Sequence, residues 1–217
     1  MKIFARVLDS DYHNNIRSPL EELGTDMVRQ ILIEYFHLIY LGLTKNLTQT
    51  HTIKSLISTK LLHIQKYQPP EFHRRIRPID KFLQYKGHEF RCLLLYTGPF
   101  VLLNSIPQAY YFNFLLLHVA IRILNDSILC VSHNALAKKM LESFVDGFAR
   151  IYGIEYVVSN IHLLTHLADD VMRSMPLDNM SAFKFESSIC KLKRSIRSNN
   201  KPLEQLAKRT YANWQPF

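Results

Sequence analysis

The sequence predicts a mainly α-helical chain with one or two short strands. Three observations carry that prediction. Only 6 of the 217 residues are glycine, too few for a turn-rich sheet protein. Through most of the chain, apolar residues recur at three- and four-residue spacing, the period of a helix with one buried face. Apolar side chains make up 47% of the sequence and aromatics 12%, which points to a packed core rather than disorder. A chain of this length can bury about 70% of its unfolded surface as one domain. No internal repeat, low-complexity tract or linker divides it, so 1–217 reads as a single domain.

Taken in order, residues 1–24 show no strong periodicity and read as a lead-in. Within 25–50, DMVRQILIEY suits a helical turn running into a short β-branched strand. HLIYLGLTKNLTQ then spaces Leu38, Leu41 and Thr44-Lys45 as an amphipathic helix. Residues 51–153 are predicted to be helical. A first helix over 52–67 is stopped by Pro69-Pro70. The basic connection EFHRRIRPIDKF follows, with Arg74, Arg75 and Arg77. Next come a helix over 88–103 bent near Gly98-Pro99, one over 108–125, and one over 133–152. Ser132 is the expected N-cap of the last, and Gly153 its stop.

In 154–217, the run Ile154-Glu155-Tyr156-Val157-Val158 is β-capable and leads into three helices. The first carries His162, His166 and Asp169-Asp170; Pro176 and Asp178-Asn179 interrupt the pattern. The second opens near Ser181 and sets Phe185, Ile189, Leu192 and Ile196 on one face, the stripe of a core-facing helix. Pro202 opens the third at its first turn, where a missing N–H is harmless.

Charge narrows the function classes. The formal net charge is +9, which favours an anionic partner, nucleic acid before membrane. Between 184 and 209, eight Lys/Arg stand against Glu186 and Glu204, a local balance of +6; the bland alternative is a solvated basic face without a ligand. Three widely spaced cysteines, Cys92, Cys130 and Cys190, make no disulfide framework and fit buried reduced thiols in an intracellular protein. The opening MKIFARVLDSDYHNN turns polar before a signal-peptide h-region can form. The most apolar region, 92–124, is interrupted by Pro99, Asn104, Pro107, Gln108 and Asn113. A bilayer span needs about 20 mostly apolar residues, so these are core helices and no membrane partner is expected.

Candidate chemistry is sparse. His162 and His166 share a helix face, but Leu163 stands where a zinc peptidase needs its Glu base, so packing histidines are the expectation. Cys130 and His133 have half of a zinc spacing with no second pair nearby. There is no phosphate-cradling glycine loop and no G-x-S-x-G elbow. Tyr110-Tyr111-Phe112 lies on an apolar helix and reads as core rather than as a base-stacking platform. Glu186 is followed by Lys193, Arg194 and Arg197, an arrangement able to set a metal-bound phosphate beside cations. Taken alone, it is a helix N-terminal Glu favoured by the dipole.

The run NIHLLTHLADDV, PLDNMSAFKFE and LKRSIRSNNKPLEQLAKR resembles the C-terminal part of transposases of the CACTA (En/Spm) type and of related transposon-derived proteins. SPLEELGTDMV, EYFHLIYLGLTKNL, PPEFHRRIRPIDKF and HEFRCLLLYTGPFVLL match upstream blocks in the same order, so the resemblance covers 18–209. It implies an incomplete RNase H-like core with a large helical insertion and C-terminal helices. In such cores, acidic residues hold two divalent metals that activate water and stabilise the leaving oxygen. Glu186, in FKFE, matches the final Glu, with Lys184 replacing the usual proline. The box that normally carries the second Asp reads Glu34-Tyr35-Phe36-His37. A displacement of about 1 Å can cost on the order of 10²-fold, and the extra methylene of Glu34 introduces one of that size. The first Asp would lie upstream of Met1, and Asp9 and Asp11 sit too close to the second box to replace it.

The resemblance therefore implies Glu186 and Glu34 as catalytic and metal positions without independent activity. Mg²⁺ is implied only if missing segments complete the site. DNA is the implied partner, with nuclear localisation following from that, and helical spacing puts Lys193, Arg194, Arg197 and Lys201 on one side to hold it. The alternative is a helical protein-interaction module, its partner or a second copy meeting an exposed core face, with no nucleic-acid ligand. A nuclease completed by another chain is the third reading.

Overall fold

The computed structural model describes residues 19–25, 51–72, 74–174, 176–180 and 183–212, and every regular element among them is helical. The predicted strand and helix of 25–50, with Glu34, lie outside the described residues, as do Asp9 and Asp11. The chain divides into two compact units, Met1–Met180 and Ser181–Phe217.

In the first unit, a single turn Pro19–Glu22 buries nothing. Helix α1, His51–Gln65, ends before Pro69-Pro70 as expected and buries Ile57 and Leu61. The basic connection is stitched to it rather than loose. Gln65 Nε2 donates to Ile76 O at 2.7 Å, and Gln68 bonds both Ile76 N–H (3.0 Å) and Arg74 O (2.9 Å). A 3₁₀ helix, Ile79–Gln84, follows, and Asp80 accepts the Ser58 hydroxyl at 2.9 Å.

The bend expected near Gly98-Pro99 is a π turn. Helix α2, Gly87–Cys92, runs without a break through Leu93–Thr97, a π segment, into α3, Gly98–Leu102. Pro99 has no N–H to give, and the Gly98 N–H reaches back to Leu93 O instead of Leu94 O. Leu94 O thereby loses the Gly98 N–H, and Leu95 O lacks the i+4 donor that Pro99 cannot give. Two side chains one turn apart on the next helix supply them: His118 Nδ1–H bonds Leu94 O at 2.7 Å and Arg122 Nη1 bonds Leu95 O at 3.2 Å. Since a carbonyl only accepts, this contact fixes the proton of a neutral His118 on Nδ1. Gly98 is also where the bend meets its neighbour, because a Cβ there would lie 2.4 Å from both Leu93 O and Phe114 Cζ.

The core lies between α4, Gln108–Asn125, and α6, Asn134–Tyr152. Phe114, Leu117, Ile121 and Leu124 face Leu141, Phe144, Val145 and Phe148, all almost fully buried. Between them, α5 (Leu129–Ser132) is one turn. Asp126 Oδ1 accepts the N–H groups of Leu129 and Ile128 (2.9 and 2.8 Å), and these bonds hold its carboxyl below the usual range. The expected N-cap is a correction: Ser132 ends α5, its hydroxyl donates to Ile128 O at 3.1 Å, and His133 takes the cap position with no side-chain bond to the helix it caps.

Gly153 ends α6 as predicted, at φ +106° and ψ 147°, a region essentially reserved for glycine. Gly153→Ala is expected to cost about 1–3 kcal/mol in urea unfolding, from backbone strain and from a Cβ that would sit 2.5 Å from Glu155 Oε1. A loss within error of zero would show that the turn relaxes freely.

The predicted strand after Gly153 is a second correction. Ile154–Tyr156 is a 3₁₀ helix, closed by Val157 N–H to Ile154 O at 3.0 Å. A β-branched run becomes a strand where a neighbouring ladder receives it, and no strand exists among the described residues. The single helix expected next is broken into α7 (Ser159–His162), a 3₁₀ turn (Leu163–His166) and α8 (Leu167–Ser174), with a further 3₁₀ turn at Leu177–Met180. Ile161, Leu164, Leu167, Ala168 and Val171 are all buried.

The second unit contains α9, Phe183–Ser195, and α10, Pro202–Ala212, with Pro202 at the first helical position as expected. No helix among the described residues is long and apolar enough to cross a membrane.

Candidate nucleic-acid interface

The basic residues singled out by the sequence fall on α9 and on its connection to α10. Helix α9 closes with Ile196 N–H on Lys193 O at 3.1 Å. Gln205, one turn into α10, then organises the connection. Its Oε1 accepts Arg197 N–H at 3.0 Å, and its Nε2 donates to Ser198 O, Ser198 Oγ and Asn200 O. Lys201 adopts φ +50°, a left-handed conformation that redirects the chain into Pro202. Arg209 donates to Ser195 O, satisfying a carbonyl at the C-terminus of α9.

Lys191, Lys193, Arg194 and Arg197 are exposed. Among the described residues of this unit, the only ion pair is Lys201 Nζ with Glu204 at 3.0 Å, both side chains more than half exposed. Lys191, Lys193, Arg194 and Arg197 have no carboxylate partner among the described residues.

Two expectations need correcting here. Helix α9 ends at Ser195, so Arg197 and Lys201 lie in the connection and do not share a helix face with Lys193 and Arg194. Gln205, not helical spacing, holds them near the end of α9. Two members of the apolar stripe are not buried: Ile189 is 62% exposed and Leu192 41%, while Ile196 is half-buried and the Phe185 side chain lies outside the described residues. Periodicity identifies an amphipathic helix but not what covers it, and the described part of this unit offers only α10. Glu186 does lie on the first turn of α9, but its side chain, like Glu34, is outside the described residues, so no metal site is built from the pair.

The remaining ligand candidates are occupied by packing. His162 is buried, and its ring meets that of His166 edge-on at 5.2 Å between centroids, Nε2 to Nε2 at 3.4 Å. Asp169 is held by Lys138 Nζ at 2.8 and 2.9 Å, and Asp170 by Arg173. Cys130 is buried with its thiol toward Ser127 O, while His133 Nδ1 bonds Ser132 Oγ. Among the described residues, no three His, Cys, Asp or Glu side chains converge on a point that could hold a metal ion. Burial pushes the Cys92 thiol up to about 11, against a reactive nucleophile.

Three features of the first unit escaped the sequence. Arg77 and the buried Glu89 form a bidentate pair, with Nε to Oε1 and Nη2 to Oε2 both at 2.6 Å. A cavity of about 320 Å³ lies among Phe72, Arg74, His88, Arg91 and Tyr96, with Arg91 committed to Asp178. An apolar groove of about 450 Å³ runs between α4 and α6, past Phe112, Leu116, Val119, Met140 and Ile151. Its one sequence signal is α4 itself, which carries Arg122 as its lone formal charge. Compared with protein-family models, curated proteins and solved structures, the chain finds no match.

Proposed function

We propose that this chain binds nucleic-acid phosphates without sequence preference, through the exposed cations of α9 and its connection to α10. We take it to be the helical remnant of a transposase-type protein with no nuclease activity of its own. The observation that supports the binding is the set of exposed cations at Lys193, Arg194 and Arg197 with no carboxylate partner among the described residues. The Arg guanidinium forks suit two phosphate oxygens at once, while Lys193 contributes a point charge. Lys201 joins when phosphate displaces Glu204, an exchange that costs little because the pair is exposed. The transposase reading rests on the sequence resemblance. It assigns Glu186 and Glu34 to an incomplete acidic set, which is the reason no strand cleavage is expected, and it places the protein in the nucleus.

Contacts to phosphate position a protein without reading bases. Three such contacts give a log affinity that falls with log salt at a slope of about −3, from about −0.9 per contact. Fluorescence anisotropy with labelled duplexes of unrelated sequence, across salt concentrations, is expected to give that slope for each. Reversing Lys193, Arg194 and Arg197 to Glu is expected to abolish binding. Reversing the exposed Lys66 and Lys81 is expected to leave most of it. Equal losses from both sets, or no salt dependence, would reduce the basic segment to a solvated face. Supercoiled DNA is expected to stay unnicked in Mg²⁺; nicking that disappears in Glu186→Gln would overturn the inactive reading. The second reading, a helical interaction module, is favoured by the open apolar groove between α4 and α6.

A further inference from the structure

The cavity of about 320 Å³ in the first unit is built from the basic connection on one side and from α2 and the π turn on the other. Its volume lies near the lower end of the range of about 300–1,000 Å³ typical of small-molecule sites. Cys92, 3% exposed, closes the floor, and Glu71, Arg74, His88 and Tyr96, all exposed, surround the mouth. Arg91 is a wall rather than a ligand, because Asp178 already holds its guanidinium.

The cavity is held in shape before anything enters it. Phe72 N–H bonds Pro69 O at 3.2 Å, and Gln68 pins the chain beyond it through Arg74 O and Ile76 N–H. The Phe72 and Tyr96 rings meet edge-on, 5.3 Å between centroids and 88° between planes. Arg122 lies 5.9 Å from the Tyr96 ring centroid while it donates to Leu95 O. Tyr96 is thus fixed by two neighbours yet 43% exposed, an open aromatic surface in a set position. Preorganisation of this kind lowers the ordering cost of binding.

The charges around the mouth select the ligand. Among the described residues, neither the Arg74 guanidinium nor the Glu71 carboxylate has a hydrogen-bond or ion-pair partner. A cavity for phosphate alone is poorly served by a carboxylate at its mouth, which repels the anion. An aromatic face, an arginine fork and a carboxylate together suit a nucleotide. The face stacks a base, the fork takes two phosphate oxygens, and the carboxylate accepts N–H groups from the base edge. Guanine presents two adjacent donors, N1–H and N2–H, to the two oxygens of one carboxylate. Adenine and cytosine set a lone pair beside their amino group instead. We propose that this cavity binds a guanine nucleotide, with the base on Tyr96, its donor edge at Glu71 and its phosphate at Arg74. A free nucleotide and an unpaired guanosine within a strand share that chemistry.

Titration of the full chain with guanosine 5′-monophosphate, followed by amide chemical shifts, is expected to saturate with changes centred on residues 71–74 and 88–96. Adenosine 5′-monophosphate is expected to bind about tenfold more weakly, for want of the paired donors. Ribose 5-phosphate and inorganic phosphate are expected not to saturate. Tyr96→Ala is expected to weaken guanosine monophosphate about tenfold through lost stacking, and Tyr96→Phe to retain it. Glu71→Gln is expected to remove the preference for guanine, and Arg74→Ala to weaken both nucleotides alike. Both residues are exposed, so unchanged circular dichroism is expected for each. No saturation by guanosine monophosphate would overturn the proposal, as would ribose 5-phosphate binding equally well, equal affinity for the two bases, or indifference to Tyr96→Ala. Oligothymidine strands with and without one guanine separate the two sources. A guanine-dependent gain puts the ligand in a strand, and saturation by the mononucleotide without such a gain assigns a free nucleotide. The inference is independent of the α9 cations: the chain with Lys193, Arg194 and Arg197 reversed to Glu is expected to keep its affinity for guanosine monophosphate, so the two readings fail separately.

Discussion

Glu89→Ala is expected to destabilise the protein by about 3 kcal/mol, at the lower end for breaking a buried ion pair. Glu89 opens the first turn of α2 with its side chain 1% exposed. Its carboxylate receives Arg77 Nε and Nη2 at 2.6 Å and the Lys86 N–H at 2.9 Å. Truncation removes three charge-assisted bonds together with the cap they form. Arg77 remains 31% exposed and rehydrates in part, which keeps the loss from the top of the range. The Tyr85 hydroxyl, donating to Arg77 O, ties the same residue from its other end.

The pair also sets a pH dependence. Burial alone would raise the Glu89 carboxyl, but the bonds from Arg77 and from the Lys86 N–H outweigh it and leave it below the ordinary value. A depressed acid contributes stability that is fully present above its unfolded value of about 4.3. That contribution is lost as the pH falls through the lower folded value. Urea midpoints are therefore expected to drop more steeply below that pH in wild type than in Glu89→Gln. Parallel curves would show that Glu89 titrates as it does in the unfolded chain.

Phe144→Ala is expected to cost about 3–5 kcal/mol, the largest loss from a single side chain proposed for this protein. Phe144 is 1% exposed at the middle of α6 and packs on Phe148 at 5.9 Å between centroids. Phe148 in turn lies 4.5 Å from the Tyr152 ring, and Tyr152 meets Tyr110 edge-on at 5.0 Å. The stack is held from both core helices, so a void at Phe144 cannot collapse without moving α4. Leu192→Ala, at 41% exposure on α9, is expected to lose at most about 1 kcal/mol in the same melts. Equal losses would mean that the α9 stripe is covered after all.

The candidate interface was legible only as composition. Lys193, Arg194, Arg197 and Lys201 stand out in any count of charges, but their arrangement depends on a Gln205 side chain that spans the connection. Helical spacing placed all four on one side; the end of α9 at Ser195 separates them into two pairs. The groove was less legible still. In the sequence Asn113 is only a break in an apolar run, and its orphaned oxygen emerges where α6 brings Gly147 against it.

The sequence by itself determined where the helices of the core begin, bend and stop. Pro69-Pro70 after α1, Pro99 at the bend, Pro107 ahead of α4 and Gly153 after α6 act through a fixed φ, a missing N–H or an absent Cβ, and these effects reach only a few residues. Tertiary structure alone decided what each helix does with its faces. It turned Ile154–Tyr156 into a 3₁₀ helix, assigned His118 and Arg122 to the carbonyls that Pro99 released, and paired Arg77 with Glu89. It also left Ile189 and Phe112 in solvent while burying Phe144 and Leu117. Burial and pairing depend on residues tens of positions away, and a period of three and four carries no record of which neighbour arrives to cover it.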